Sequence, residues 1–250
     1  MRRQRWFELH DQKWFPGFLR DLVTEALERV WNANRTYAPI VPLLREALRR
    51  SRTNRVVDLC SGGGGPWPGL YAEVAAGQVL KVCFTDLYPN SGAARGSAFN
   101  VYPDPVDARR IPRSLRGFRT IFSSFHHFEP ESARALLVDA FTRREGIAVF
   151  EAAQRSAETL LSVNGVPLLV LRNGMAARPI SPRRLLWTYL LPVIPAVLWI
   201  DGLLSCLRSY SVDDLRELTE GLSAADYEWR VGEQAGNPVP ITYLIGTPLH

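Results

Sequence analysis

The stretch VVDLCSGGGGPWPGLY, residues 56–71, constrains the fold of this chain more than any other. An apolar, β-branched run ends at Asp58, four glycines follow from Gly62 to Gly65, and a helix is expected to open near Pro66 to Pro68. Glycines at such a junction let the backbone take positive φ and approach a ligand closely. The following helix turns its positive end toward that ligand, and ligands of open α/β sheets lie at the carboxyl ends of the strands. Two common nucleotide motifs do not fit. A dinucleotide fingerprint starting at Gly62 needs glycine or alanine where Trp67 stands, and a phosphate-cradling loop needs a lysine that is absent here. Asp58 instead suits a ligand carrying a cationic amino group. A glycine-rich structural turn is the plainer alternative.

Beyond this loop, short apolar runs alternate with helical segments. Strands are expected at Val56–Leu59, Val79–Thr85, Thr120–Ser123 and Ile147–Phe150, with the clearest helix from Pro130 to Arg144. Such alternation predicts a parallel sheet with helices on both faces. Ser211, with Asp213 and Asp214 behind it, reads as the N-cap of a further helix. Two closing strands, Tyr227–Val231 and Ile241–Ile245, flank the turn GEQAGNPVP and suggest an antiparallel hairpin. Ahead of the sheet, the apolar spacing of residues 18–31 predicts an amphipathic helix, and a second is expected from Pro39 to Arg50.

Asp86 ends the strand KVCFTDLYP, where a carboxylate can accept both hydroxyls of a ribose. Asp107 follows in VDARRIP, placed for an adenine amino group, although an aspartate in a turn often makes only an Asx turn. The ordered set of Asp58, Gly62, Gly64, Asp86 and Asp107 resembles the class I S-adenosylmethionine (SAM)-dependent methyltransferases. The resemblance covers residues 56 to about 154 and 210–250. It implies a Rossmann-like, seven-stranded, mostly parallel α/β sheet with helices on both faces and an antiparallel last strand. It also implies SAM as cofactor and S-adenosylhomocysteine as product, with no metal. On that pattern Asp58 and the glycine loop hold the methionine moiety, Asp86 the ribose, and Asp107 with Ala108 the adenine edge; Cys60, Leu87 and Ser123 join the cofactor-binding set. Cys60 departs from the pattern, standing where the family usually has glycine.

Methyl transfer depends largely on positioning, and a general base is needed only for an acceptor protonated at neutral pH. Catalytic candidates are His126 and His127 in SSFHHFEP, Glu151 at the end of the next strand, and Asp201 in WIDGLLSCLRSYS. Each has a plainer alternative: the histidines as pocket-shaping groups, Glu151 as a loop tie, and Asp201 as a capping or ion-pair residue. The predicted division is an N-terminal helical cap (1–54), a SAM-binding domain (55–154 and 210–250) and an apolar insertion (155–209).

Within the insertion, Leu185–Ile200 carries no charge for sixteen residues, short of the roughly 20 needed to span a bilayer. A lid over the active site is the favoured reading, with a homodimer surface or a hairpin touching a membrane as alternatives. The expected acceptor is a small or hydrophobic molecule, at oxygen before carbon before nitrogen. The rivals are a non-catalytic nucleoside-binding protein and a membrane-associated methyltransferase acting on a lipid-like substrate. A cytoplasmic location, peripheral to the inner membrane face at most, is expected from three scattered cysteines and an N-terminus without an apolar core.

Of the 30 basic residues only Lys13 and Lys81 are lysines. The net charge of +5 thus reflects arginine usage, with no aromatic-interleaved basic patch for nucleic acid. Arg110, Arg113, Arg116 and Arg119, spaced by three, are expected on a solvated surface.

Overall fold

In the computed structural model of the chain, residues 3, 4, 6–89, 98–176, 181–236 and 238–249 are described. The strands are β1 (Arg55–Leu59), β2 (Lys81–Thr85), β3 (Phe99–Val101), β4 (Phe118–Phe122), β5 (Ile147–Glu151), β6 (Tyr227–Gln234) and β7 (Ile241–Pro248). They form one seven-stranded sheet in the order β3-β2-β1-β4-β5-β7-β6. The pairings among β1 to β5 are parallel, and β7 runs antiparallel to both β5 and β6. This is the expected Rossmann-like sheet with its antiparallel last strand. The order reverses between β1 and β4, which is where such sheets open a crevice for a ligand.

Alternation along the strands divides the core into two layers. On β5, Ile147 and Val149 face one layer and Ala148 and Phe150 the other, all fully buried. Burial on both faces is the pattern of an interior parallel strand. One face is covered by α2 (Val41–Arg50) and α3 (Trp67–Ala75), the other by α4 (Pro130–Thr142) and α9 (Val212–Thr219). Ser211 caps α9 as its sequence suggests: its side chain accepts from Asp214 N while Asp214 accepts from Ser211 N.

The first fifty residues do not form a single cap. Leu44, Ala47 and Leu48 of α2 lie on one helical face and pack into the sheet core with Tyr37 and Ile40, so this helix belongs to the sheet domain. Helix α1 (Gly17–Ala33) instead packs mainly on the insertion, touching the sheet domain through Trp31 and Asn32. Leu19, Leu22, Val23, Ala26 and Val30 share a separate core with Val170 of α6 (Val166–Ala176) and Ile194, Val197 and Leu198 of α8 (Val193–Arg208). Two segments remote in sequence thereby build one helical layer.

The apolar run 185–200 is broken. Pro182–Leu185 and one wide turn, Leu186–Leu190, closed by Leu191 N to Leu186 O, precede a 65° bend before α8. Pro192 caps α8 and Pro195 sits in its first turn, where a missing N–H is tolerated. Among the described residues no single helix is long and apolar enough to cross a membrane. Residues 177–180 in the join RNGMAARPISPRR and residue 237 in the closing turn lie outside the described residues.

One expectation fails in this frame. Arg110, Arg113 and Arg116 are exposed, but Arg119 is buried on the central strand β4. Its guanidinium meets Glu145 at 2.6 Å and Asp139 at 2.8 Å, so paired carboxylates offset the burial of its charge.

Candidate active site

The carboxyl ends of the central strands open onto a cavity of about 1090 Å³. Ligand pockets usually measure about 300–1,000 Å³, so this one has room for a nucleoside-sized cofactor together with a second molecule. Asp58, Cys60, Gly62, Asp86, Leu87, Asp107, Ala108, Ser123, His126, His127 and Asp201 all line it. Of the residues singled out in the sequence, Gly64 and Glu151 do not.

The glycine loop curls back over the end of β1. Gly62 at φ 54° and Gly64 at φ 108° occupy backbone conformations that side chains rarely adopt. Cys60 is also left-handed, at φ 56°, which explains why glycine is usual at this position. Asp86 holds the loop in place: Gly62 N donates to its Oδ2 and Tyr88 N to its Oδ1, both at 2.8 Å. Burial raises the Asp86 carboxyl above the usual carboxylate range despite those bonds. Asn32 of α1 supports the far side of the loop, donating to Gly65 O at 3.1 Å and accepting from Gly69 N at 2.8 Å.

Asp58 lies beneath the loop, almost wholly buried. Burial pushes its carboxyl up to about 7, although Thr120 Oγ1 donates to its Oδ1 at 2.5 Å. A buried carboxyl in that range gains from a cationic partner. Asp107 is differently placed. Arg109 takes both its oxygens, at 2.7–3.1 Å, and holds the carboxyl below its ordinary value. The Asx-type contact from Arg109 N is present as well. Ser123, at φ 40°, stands at the end of β4, its Oγ 2.5 Å from the buried Tyr37 hydroxyl and accepting from Ala152 N.

Past β4, three histidines meet carboxylates. Nδ1 of His126 lies 2.7 Å from Glu151, Nδ1 of His127 2.7 Å from Asp11, and Nδ1 of His10 2.7 Å from Asp201. Glu8 sits among them, its Oε1 3.2 Å from His126 Nε2 and its Oε2 3.8 Å from His127 Nε2. Burial disfavours charge on His126, but the flanking Glu151 and Glu8 outweigh it and raise its pKa to about 10. His126 therefore carries its proton at neutral pH and has no lone pair to act as a base, contrary to the sequence expectation. Burial also opposes the charge on Glu8, yet the imidazoles of His127 and His126 hold its carboxyl well below the usual range.

Glu151 accepts from Phe125 N at 2.7 Å as well as from His126. It ties down the loop after β4 from below the cavity and is not itself a substrate-facing catalytic group. Asp201, also expected as an acid or base, has both oxygens engaged, by Leu9 N at 2.6 Å, His10 N at 3.1 Å and His10 Nδ1. Its work is to anchor the N-terminal segment. Arg3 extends that anchor, donating to Arg208 O and Phe128 O, and Arg208 donates to His127 O. His10, His126 and His127 all line the cavity; of the adjacent pair, His127, half-buried and oriented by Asp11, is the one whose ring is not enclosed between two glutamates.

No protein-family model and no curated protein matches the chain in sequence. Solved structures do match its fold. The plantazolicin methyltransferase BpumL in complex with SAH superposes with a TM-score of 0.57 at 10% identity, over 96% of this chain and 94% of that one. Human N-acetylserotonin methyltransferase (ASMT) in complex with SAM gives 0.51 at 13%, over 92% of this chain and 56% of that one. A putative zinc-dependent alcohol dehydrogenase from Rhodobacter sphaeroides gives 0.51 at 14%, over 92% and 98%. With its antiparallel β7 between β5 and β6, the chain has the class I SAM-dependent methyltransferase fold.

Proposed function

We propose that the protein is a SAM-dependent methyltransferase acting on a small, apolar acceptor, with oxygen the preferred acceptor atom. The observation that carries this reading is one cavity lined by Asp58, the glycine loop and Asp86 together with the cluster of His127, Asp11 and Glu8. The residues fit the cofactor. A buried carboxyl poised near 7 suits the ammonium of a methionine moiety, the Asp86 carboxylate suits ribose hydroxyls, and Val106 and Ala108 offer apolar contact for a base. When bound, SAM supplies an electrophilic methyl group.

The rest falls to the chain's own side chains. Leu169 and Leu198 of the insertion give the far wall an apolar lining, which supports the lid reading and excludes water from the acceptor. His127, held by Asp11, faces the cavity where a hydroxyl acceptor would have to give up its proton. A dinucleotide-dependent dehydrogenase is disfavoured: Trp67, fully buried in the sheet core, fills the position where the fingerprint needs glycine.

The test is release of S-adenosylhomocysteine with pooled cell extract as acceptor. Turnover above background, falling by about 10²–10⁴-fold in His127→Ala, is expected. A folded protein that binds SAM but yields no S-adenosylhomocysteine with any fraction is a binding protein and contradicts the proposal.

A further inference from the structure

The sequence gives no reason to expect a metal, since the three cysteines are scattered and no ligand spacing is evident. The folded chain, however, brings together a ligand set that no sequence motif announces. We propose that Glu8, His126 and His127 form a binding site for one divalent first-row transition-metal cation in the wall of the cavity. This rests on the methyl-transfer reading and refines it: with Nε2 on the cation, His127 would act on the acceptor through the metal and not as a free base.

One carboxylate oxygen and two imidazole nitrogens of these residues all lie within 4.8 Å of one another. Donors about 2.0–2.1 Å from a tetrahedral ion stand about 3.3 Å apart. His126 Nε2 and Glu8 Oε1 are 3.2 Å apart, and His127 Nε2 and Glu8 Oε2 are 3.8 Å apart. Each of these two Glu8–imidazole separations lies within about half an ångström of that spacing.

The surroundings have the form of a metal site. Ligating histidines usually give their other ring nitrogen to a carboxylate, which fixes tautomer and orientation. Here Glu151 holds His126 Nδ1 and Asp11 holds His127 Nδ1, each at 2.7 Å, leaving both Nε2 atoms toward Glu8. The buried His126 Nε2 pairs with Glu8 Oε1 at 3.2 Å but outside hydrogen-bond alignment, and a cation would have to displace its proton to bind there. A misaligned contact leaves that nitrogen poorly satisfied along its bonding direction, and a cation seated between it and Glu8 would take both groups as ligands.

Two imidazoles with one carboxylate favour zinc, cobalt, nickel or iron over magnesium or calcium. Three protein ligands leave a coordination position open, as in catalytic zinc sites. All three residues line the cavity, so that position faces the acceptor. Arg208 Nη1 lies 3.5 Å from Glu8 Oε1 and from Asp11 Oδ2 and shares those two carboxylates. His10, Asp11 and His127 make a second possible trio, but its members are more exposed and Asp11 is already committed to His127.

The experiment is titration of untagged, chelator-stripped full-length protein with CoCl2, read by visible absorption and by calorimetry. One equivalent with the intense band of a four- or five-coordinate site is expected. Affinity should fall at least tenfold in Glu8→Gln and again in His127→Ala, while His10→Ala keeps it. Absence of stoichiometric binding, binding insensitive to Glu8→Gln and His127→Ala, or binding lost only in His10→Ala overturns the site. SAM calorimetry on the same preparations separates the two readings. Protein that binds SAM but no Co2+ overturns the cation site alone, and protein that binds Co2+ but no SAM overturns methyl transfer alone.

Discussion

Asp201→Ala isolates the join between the N-terminal segment and the insertion, on which the histidine wall of the cavity depends. The buried carboxylate accepts three hydrogen bonds from two consecutive residues, at 2.6, 3.1 and 2.7 Å. Hydrogen bonds to a charged group contribute about 1.5–3 kcal/mol each, but three bonds on one carboxylate share a single charge, so a plain sum overstates the loss. Removing one side of a buried polar pair costs about 3–5 kcal/mol, and that is the expected loss in urea unfolding at pH 7. Asp201→Asn, which keeps one accepting oxygen, should lose about 1–3 kcal/mol.

The loss should also be local. At about 1.4 kcal/mol per factor of ten, the Leu9 and His10 amides should exchange with solvent about 10²–10³-fold faster in Asp201→Ala, while amides of β4 and β5 change only as global stability does. A loss below about 1 kcal/mol, with protection at Leu9 and His10 unchanged, would refute the argument that Asp201 holds this segment.

Other outcomes follow from the cofactor half of the cavity. Asp58 titrates near 7 in the free protein, whereas an ammonium beside it favours the carboxylate. SAM binding should therefore release a proton below about pH 7, and affinity should rise with pH up to that point and then level; calorimetry in buffers of different ionisation enthalpy reads the proton directly. The same raised value means that Asp58 contributes stability at low pH that is lost as pH climbs from 3.8 to about 7. Thr120→Val removes the hydrogen bond to Asp58 Oδ1 and should move that titration upward, weakening SAM binding at neutral pH. Cys60→Gly relieves a left-handed non-glycine residue and should change stability by no more than about 1 kcal/mol, on the stabilising side. A loss of several kcal/mol on thermal unfolding would show that the thiol's packing matters more than its backbone.

What the sequence discloses here is what local patterns can encode. The glycine loop, Asp58, Asp86 and the Ser211 cap are each readable because a turn, a strand end or a helix start imposes its own residue types. The resemblance supplied the seven strands and the antiparallel last one, but not their order. Glu8, His10 and Asp11 carried no such signal, because residues 3–16 lack periodicity and reach the site through contacts 116 to 200 positions away, to His127, Asp201 and Arg208. Arg119 misled for a related reason: its spacing from other arginines is a surface pattern, but Phe118 begins a central strand and Asp139 of α4 and Glu145 in the turn before β5 pair with it. His126 looked like a base because imidazole titrates near neutrality, and only the two glutamates around it fix its proton.

The central claim is that the glycine loop and its acids bind SAM, and calorimetric titration of the full-length protein with SAM measures it most directly. One site per chain is predicted. In Asp86→Ala the loss of two charge-assisted contacts to ribose, about 3 kcal/mol or more, should weaken binding by at least about 100-fold. Failure of the folded wild-type protein to bind SAM, or unchanged affinity in Asp86→Ala, would contradict the account.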